Sequence, residues 1–445
     1  MNRFGFWARP ALSRAWAAHG FFLAFLLCST ASHGQSQASA LTLDDAILKA
    51  LQHNPRLQVF DVRMRGLQGL EQTAKLRPGF EIEADIENFA GSGEFQGSGA
   101  AEQTVALSSV IEMGGKRAAR MAEASARTRL VAAEREAEAL DLLGDVTQSF
   151  ATALGAQRRL ELAQDALALA RTTLQTVRKR AEAGAAPEAE VLRAKAALEQ
   201  AQIALSQLER AFAVQKVHLA ALWGETNADF TQLQGDLFRF PPSDDFESLF
   251  ARAKESAAIA VFANEARVKE AALRLARAQG SSDVAWALGA RRIEPTGDTA
   301  LVASVSVPLF SGRRARGDIV AAEAERDQVQ LRQEAALLAL HAQLFEAYQS
   351  RAQSIEAATA LKNNVIPALE RALQATRTAY ERGRYSYLDL IGAQRELLDA
   401  QRNAIDAAAS ALVFGALIEQ LTAEPLKARS TAQQTRRTTD TGQIP

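Results

Sequence analysis

The chain has 445 residues, of which 51 are Lys or Arg and 52 are Asp or Glu, so its formal net charge is −1. This balance argues against nucleic acid as a partner. Cys28 is the only cysteine, which excludes an internal disulfide or a cysteine metal centre. The 48% hydrophobic fraction is rich in alanine and, with many Glu, Gln, Arg and Leu residues, favours long and closely packed helices.

Residues 1–40 predict a secretory signal peptide. Three arginines precede the apolar run Gly20–Cys28, and small residues follow it, with cleavage expected after Gly34 or after Ala40. The run is shorter than the ~20 residues that span a bilayer. Because Leu27 does not suit a lipoprotein signal, we expect an exported chain from which Cys28 is removed.

Four short segments of alternating polarity follow, in two pairs. They are Phe80–Phe89 with Gln103–Ile111, and Val284–Arg292 with Ala300–Phe310. Gly- and Ser-rich stretches connect the members of each pair, which predicts two β-hairpins. In an exported chain such strands can enter an outer membrane. A small soluble hairpin packed on helices is the alternative.

The remaining pattern is helical. No proline interrupts Lys116 to about Glu182, and a helix of that length would run on the order of 100 Å. A second long helix is predicted from Arg313 to about Asn364, with Pro367 marking a kink or a local bend. No segment after the signal has 18 consecutive apolar residues, so no transmembrane helix is predicted there. Such long helices require a coiled coil or a helical wall.

The chain contains an internal repeat. A shift of 197 positions aligns Gly115 with Gly312, and a shift of 199 aligns Gly184 with Gly383. Each half therefore comprises a helix, a hairpin, a long helix, a tight turn and a helix. We assign 41–224 to the first repeat, 225–246 to an irregular linker, 247–423 to the second repeat and 424–445 to a polar, disordered tail.

The two glycine turns lie at the far end of the long helices from the hairpins, where a left-handed residue ends a helix. One chain offers only four strands, too few to close a barrel, and open strand edges are not tolerated in a bilayer. Three chains would supply twelve strands. The pattern therefore predicts a trimeric duct whose helical tips open or close it.

Four stretches of the sequence resemble the TolC-type outer membrane efflux protein family, and most closely its CzcC-like branch, which serves heavy-metal efflux systems. The stretches are "LTLDDAILKALQHNPRL", "GGKRAAR", "PLFSGRRARG" and "YERGRYSYLDLIGAQRELLDAQ". The resemblance covers roughly Leu41 to Thr422. It implies a mainly α-helical fold with a small β part, a homotrimer with a twelve-stranded barrel in outer membrane lipid, and a helical tunnel. It also implies docking through a periplasmic adaptor to an inner-membrane RND pump.

The resemblance further implies roles for residues at the tips. Asp389 matches an acidic residue that lines the tip aperture, although Gly392 stands where some members have a second acid. Tyr380 matches a gating tyrosine, and its expected partner is Glu190. Tyr385 replaces the usual latch arginine, with Arg384 beside it. The predicted tip set is Gly184, Glu190, Tyr380, Gly383, Arg384 and Asp389; ordinary solvated polar groups are the alternative.

Basic residues follow both hairpins, at the predicted junction between barrel and tunnel. Their positions argue against a phosphate-binding loop, which needs a preceding buried strand. The predicted junction set is Gly115, Lys116, Arg117, Gly312, Arg313 and Arg314.

Enzyme motifs, a cofactor site and metal-ligand spacing are absent from the sequence; His53, His218 and His341 lie far apart. The sequence therefore predicts a passive duct without enzymatic activity, and the resemblance to the CzcC-like branch implies heavy-metal cations as its cargo. Export of organic drugs, type I protein secretion and an exported coiled-coil scaffold are the alternatives.

Overall fold

A computed structural model describes residues 40–424. The predicted signal peptide, Cys28 and the predicted tail lie outside the described residues, apart from the single residues Ala40 and Glu424. The strands are β1 Ala40–Leu41, β2 Glu81–Glu87, β3 Glu102–Ile111, β4 Gln232–Leu233, β5 Val284–Ile293 and β6 Asp298–Ser306. The helices are α1 Leu43–His53, α2 Pro55–Ala74, α3 Lys116–Glu182, α4 Glu188–Ala221, α5 Phe246–Lys254, α6 Ala257–Gln279, α7 Ser311–Arg314, α8 Arg316–Ala360, α9 Ile366–Glu381 and α10 Tyr387–Thr422.

The two hairpins form one antiparallel sheet in the order β2-β3-β5-β6. Its centre joins the two repeats, with Ile111 of β3 opposite Val284 of β5. The last strand ends at Ser306, earlier than the predicted Phe310, because Pro308 lacks an N–H and Phe310 has a φ of 65°. Strands β2 and β6 are the edges, and each has a neighbour on only one side in a single chain.

The longest helix, α3, organises the bundle. Its 67 residues extend about 100 Å, and it packs against α2, α4, α6 and α10. Small residues allow the close approach of α10: a Cβ added to Gly155 would lie 2.8 Å from the Cβ of Ala409. Leu142, Val146 and Leu219 are fully enclosed in the largest core cluster. The alanine-rich composition thus gives tightly packed helices rather than a bulky core.

The second long helix extends beyond the predicted end near Asn364. Helix α8 continues through a π-helical turn, Leu361–Val365, directly into α9, which ends at Glu381. Pro367 is the second residue of α9. Its ring would clash with a carbonyl of the preceding α-helical turn, and the wider π turn separates the two. The local irregularity predicted at Pro367 is therefore a π turn.

The segment 225–246, predicted as an irregular linker, contains one two-residue strand, Gln232–Leu233. Its residues Gln232 and Leu233 pair in parallel with Ala40 and Leu41. The side chain of Gln157, on α3, accepts a hydrogen bond from the Leu233 N–H at 2.7 Å. This amide holds the segment against the bundle although its sequence has no long strand pattern.

Within residues 40–424, α10 is the one helix that is long and apolar enough to cross a membrane, with a mean hydropathy of 1.5 over an 18-residue window. The sequence criterion of 18 consecutive apolar residues does not select α10, because polar residues interrupt its apolar run. In the fold, α10 packs on α3 and α8 and buries Ala404, Ala408 and Ile418. These contacts identify it as a core helix of the bundle.

Equivalent turns end α3 and α9. Gly184 and Gly383 have φ values of 70° and 74°. After them, the N–H of Ala185 donates to the Arg180 carbonyl at 2.8 Å, and the N–H of Arg384 donates to the Ala379 carbonyl at 2.9 Å. Both turns are therefore Schellman motifs, in which glycine takes the left-handed conformation without a steric penalty.

We predict that Gly383→Ala lowers the free energy of unfolding by about 1 kcal/mol, because alanine is strained at this φ. Gly392→Ala is the matched control, since Gly392 lies inside α10 with no atom within 4 Å of an added Cβ. The control should raise stability by about 0.5–1 kcal/mol. Urea unfolding of the detergent-solubilised protein, followed by circular dichroism, measures both. Equal effects would contradict the assignment of the turn.

Candidate functional site

A hydrogen bond joins the two helical tips. The Tyr380 hydroxyl, near the end of α9, donates to Oε2 of Glu190, in the first turn of α4, at 3.0 Å. Tyr380 is 1% exposed. It lies in an apolar cluster with Val177 of α3 and Leu390 of α10. The structure therefore brings together the tyrosine and the carboxylate that were predicted to meet, within one chain.

Burial and this hydrogen bond keep the phenol protonated. Burial raises the pKa of Tyr380 to about 12, and the bond to Glu190 adds to the rise. Because this pKa exceeds the model-compound value of 10.0, the stability that the protonated donor contributes is complete below pH 10. It is lost as the pH rises through about 12. Across the neutral range Tyr380 is a permanent donor.

The repeat explains why Glu190, and not its counterpart Asp389, accepts this bond. A shift of 199 places Glu190 on Asp389 and Pro187 on Ser386. Ser386 caps α10, and its hydroxyl and N–H donate to Oδ2 of Asp389 at 2.7 and 2.9 Å. These hydrogen bonds hold the pKa of Asp389 below its usual value. Pro187, at the N-cap of α4, has no such donors, so the Glu190 carboxylate is available to Tyr380.

Two further tip residues were not found from the sequence. The guanidinium of Arg180 lies 4.2 Å from the Tyr380 ring centroid, and its Nη2 donates to the Ala185 carbonyl at 3.1 Å. Tyr387, the first residue of α10, is 3% exposed. Arg180 aligns with Ala379 in the repeat, so the duplication gave no signal for it. Arg384, by contrast, serves the turn through its backbone, and its side chain is exposed.

The junction residues differ between the repeats. In the first repeat Gly115 precedes α3 with a φ of 72°, and the Lys116 ammonium lies 2.6 Å from Oδ2 of Asp283. Arg117 is half-buried. The first junction thus pairs its lysine with an acid.

In the second repeat Gly312 packs near Gly280. Arg313 lies over the ring of Phe310, 5.9 Å from its centroid, and Arg314 is exposed. The second junction holds its arginines at the surface.

The sheet has two chemically different faces. Directly paired residues share a face, and the register places Ile82, Leu107, Leu288 and Ala303 in one cross-strand row. We call this side the apolar face. Its members are Ile82, Ala84, Ile86, Gln103, Val105, Leu107, Ser109, Ile111, Val284, Trp286, Leu288, Ala290, Arg292, Thr299, Leu301, Ala303 and Val305. Ile82 and Leu301 are 79% and 87% exposed.

We call the opposite side the acidic face. On β2 it presents an acidic row, Glu81, Glu83, Asp85 and Glu87. The guanidinium of Arg291 lies 3.1 Å from Glu87 of this row and 2.8 Å from Glu102 of β3. The other positions of this face are Thr104, Ala106, Ser108 and Val110 on β3, and Asp298, Ala300, Val302, Ser304 and Ser306 on β6.

The described residues, 40–424, contain no group of three or more His, Cys, Asp or Glu that could hold a metal ion. The acidic row is consistent with this, since the Cα atoms of neighbouring residues on one face of a strand are about 6.8 Å apart.

The chain is similar to a known protein family and to two metal-resistance proteins. Residues 46–225 and 253–423 match the family described as Outer membrane efflux protein. The cobalt-zinc-cadmium resistance protein CzcC of Cupriavidus metallidurans is 27% identical over 360 residues, which cover 81% of this chain and 84% of that protein. The nickel-cobalt-cadmium resistance protein NccC of Alcaligenes xylosoxydans xylosoxydans is 26% identical over 322 residues, 71% and 72% of the two chains.

Solved structures with the same fold include CusC, with a TM-score of 0.72 at 16% identity over 85% of this chain and 91% of that one. VceC of Vibrio cholerae has a TM-score of 0.68 at 20% identity over 86% and 97% of the two chains. This likeness confirms the predicted TolC-like fold, mainly α-helical with four membrane strands per chain. The family is one of channels, in agreement with the prediction that the chain is not an enzyme.

We predict that Tyr380→Phe, which removes the donor to Glu190, increases leakage through the tips. Entry of a bulky antibiotic that an intact outer membrane excludes measures the leak. Tyr385→Phe is the control, because Tyr385 is a 52% exposed tyrosine of the same tip. Equal antibiotic entry with the two variants would remove the hydrogen bond from any gating role.

The difference between the N-caps Pro187 of α4 and Ser386 of α10 suggests a second variant for this experiment. Pro187→Ser should create a capping box in which the introduced serine hydroxyl competes with Tyr380 for Glu190. We expect a smaller leak than with Tyr380→Phe, and none beyond that variant when the two are combined. Additive leakage would show that the two residues act through different contacts.

Proposed function

The chain belongs to the outer membrane efflux protein family, and on that premise we propose that it forms the exit duct of a tripartite system for heavy-metal cations. The protein is an outer membrane efflux channel whose helices form a tunnel in the periplasm. The proposal concerns its cargo, its assembly and its partners. The acidic face of the sheet is the observation that carries it.

A trimer accounts for the unpaired strands. Edges β2 and β6 cannot face lipid, because their free N–H and C=O groups would have no partner there. One sheet has four strands, so three copies would give twelve, an even number within the range of outer membrane barrels. In this assembly β6 of one chain pairs with β2 of the next, and the acidic row lies beside a seam.

The orientation of the sheet follows from its two faces. Exposed Ile82, Leu301 and Val305 suit hydrocarbon, whereas carboxylates facing lipid would be costly. The acidic face therefore lines the lumen. Three copies of the β2 row would place twelve carboxylates around the exit, offset in each chain by Arg291.

The energetic cost of the acidic row favours a function for it. Neighbouring carboxylates about 6.8 Å apart repel one another by about 0.6 kcal/mol in water. A sheet that needed only a wettable inner face could use Ser or Thr, as β3 and β6 do at Ser108 and Ser306. A row of like charge in a narrow pore concentrates cations and repels anions. The relatives CzcC and NccC, whose names refer to cobalt, zinc, cadmium and nickel, point to the same class of cargo.

Partners follow from the passive character of the duct. A channel with no motor needs an energy source elsewhere, and we assign this to an inner-membrane RND pump reached through a periplasmic adaptor protein. The adaptor would meet the helical tips, at the Schellman turns of Gly184 and Gly383, which lie farthest from the sheet.

Deletion of the gene tests the cargo. Growth inhibition is measured across cobalt, zinc, cadmium, nickel, copper and silver, beside a panel of hydrophobic drugs. Selective sensitivity to one or two metals is the expected result. Sensitivity to drugs alone would retain the channel and contradict metal export.

The acidic row is tested in the same deletion strain by complementation. We predict that the variant Glu81→Gln, Glu83→Gln, Asp85→Asn and Glu87→Gln reduces metal export on the order of tenfold, because the local concentration of cations falls. The control is the exchange Glu83→Asp with Asp85→Glu, which keeps every charge. Both proteins must reach the outer membrane in equal amounts. Full resistance with the neutral row would contradict the role of the acidic face.

A further inference from the structure

We infer that the segment from Leu309 to Arg316 is a membrane-interface anchor that binds anionic phospholipids of the periplasmic leaflet. Its two parts are an apolar tip, Leu309 and Phe310, and a basic cluster, Arg313, Arg314 and Arg316. The inference rests on the outer membrane location of the family and is independent of the cargo.

The apolar tip follows β6, the last strand of the sheet. Leu301, Ala303 and Val305 of β6 lie on that face, and Leu309 and Phe310 follow them at 69% and 73% exposure. Phe310 also has a left-handed φ of 65°, a conformation that a bulky side chain rarely adopts. Apart from the Arg313 guanidinium over its ring, this large aromatic side chain is exposed in the single chain, which favours a contact outside it.

Aromatic residues mark the same level of the sheet. The rings of Phe80 and Trp286 lie edge to face, 6.3 Å apart. Trp286 belongs to the apolar face near the end of β5 that meets the helices. Belts of aromatic residues are typical of the boundary between hydrocarbon and headgroups. The boundary therefore passes close to Phe310, and the basic cluster lies on its aqueous side.

The basic cluster has no internal counter-charge. Within residues 40–424, no ion pair joins Arg313, Arg314 or Arg316 to a carboxylate, and all three are exposed. The nearest acid in sequence is Asp318, in the first turn of α8, which leaves the cluster positive. Phosphate is the anion that several closely spaced guanidinium groups recognise best.

The first repeat has a different arrangement at the positions that align with Phe310 and Arg313. The residues that align with Phe310 and Arg313 are Met113 and Lys116. Asp283 binds Lys116, and its other oxygen accepts a hydrogen bond from the Met113 N–H at 3.0 Å. Lys116 of the first junction is thus neutralised inside the protein. Within residues 40–424 the second junction has no such acid for its three arginines, and the exposed apolar residues beside them point to a lipid as the partner.

The segment is held rigidly enough to present both parts together. The Ser282 hydroxyl bridges to the Pro308 carbonyl and to the Ser311 hydroxyl. The Arg313 N–H donates to the Phe310 carbonyl at 3.0 Å. The Phe310 ring and the guanidinium of Arg313 therefore point from one short, braced turn.

The test uses the full-length protein in nanodiscs of mixed phosphatidylcholine and phosphatidylglycerol. After extraction in mild detergent, native mass spectrometry gives the ratio of the two lipids that remain bound. We expect wild type to retain phosphatidylglycerol preferentially. The variant R313Q/R314Q/R316Q should lower this preference at least about fivefold. R382Q/R384Q, which removes two exposed arginines at the tips, should leave it unchanged.

Two further measurements cover a variant that fails to fold. R313K/R314K/R316K keeps the charge and should retain most of the preference, and high salt should abolish the preference of wild type. An unchanged lipid ratio in the glutamine variant, or a wild-type preference that persists in high salt, would overturn the inference. Since lipid retention does not depend on the cargo, failure of metal export in the deletion experiment would leave this result interpretable.

Discussion

Peptide groups in a bilayer must find their hydrogen-bond partners within protein, and this constraint governs the rest of the molecule. Sheet β2-β3-β5-β6 satisfies it at its centre, where β3 and β5 join the repeats, but leaves two open edges. A single chain is therefore incomplete in the membrane. The proposed orientation turns the apolar face of this sheet to lipid and its acidic face to the lumen.

Helix α3 extends about 100 Å from the sheet to the tips. Alanine and glycine allow α3 and α10 to approach closely. At the helical tips, the turns that follow α3 and α9 are Schellman motifs with equivalent backbone hydrogen bonds. Their side chains differ, because Ser386 satisfies Asp389 while Pro187 leaves Glu190 for Tyr380. The two repeats therefore share the backbone of the tip, and the difference between their caps allows the hydrogen bond from Tyr380 to Glu190.

Local and repeating features could be predicted from the sequence. The bounds of α3 and the left-handed glycines follow from periodicity and turn chemistry, and the alternation of β2 and β6 showed which residues share a face. Contacts between distant segments could not be predicted in this way. Neither the stacking of Arg180 on Tyr380 nor the pairing of Lys116 with Asp283 leaves a periodic signal. The π turn before Pro367 was also hidden, because a proline pattern does not distinguish a kink from a wider turn.

The orientation of the sheet is the central claim, and cysteine accessibility tests it most directly. Cys28 is the only native cysteine, so single cysteines can be introduced at Ala84, Asp85 and Ile86 after its replacement. A charged, membrane-impermeant thiol reagent is applied to the protein in native outer membranes. The account predicts rapid labelling at position 85 and slow labelling at 84 and 86, where lipid covers the thiol. Slow labelling at 85 with rapid labelling at its neighbours would contradict the account, because the acidic row would then face away from the lumen.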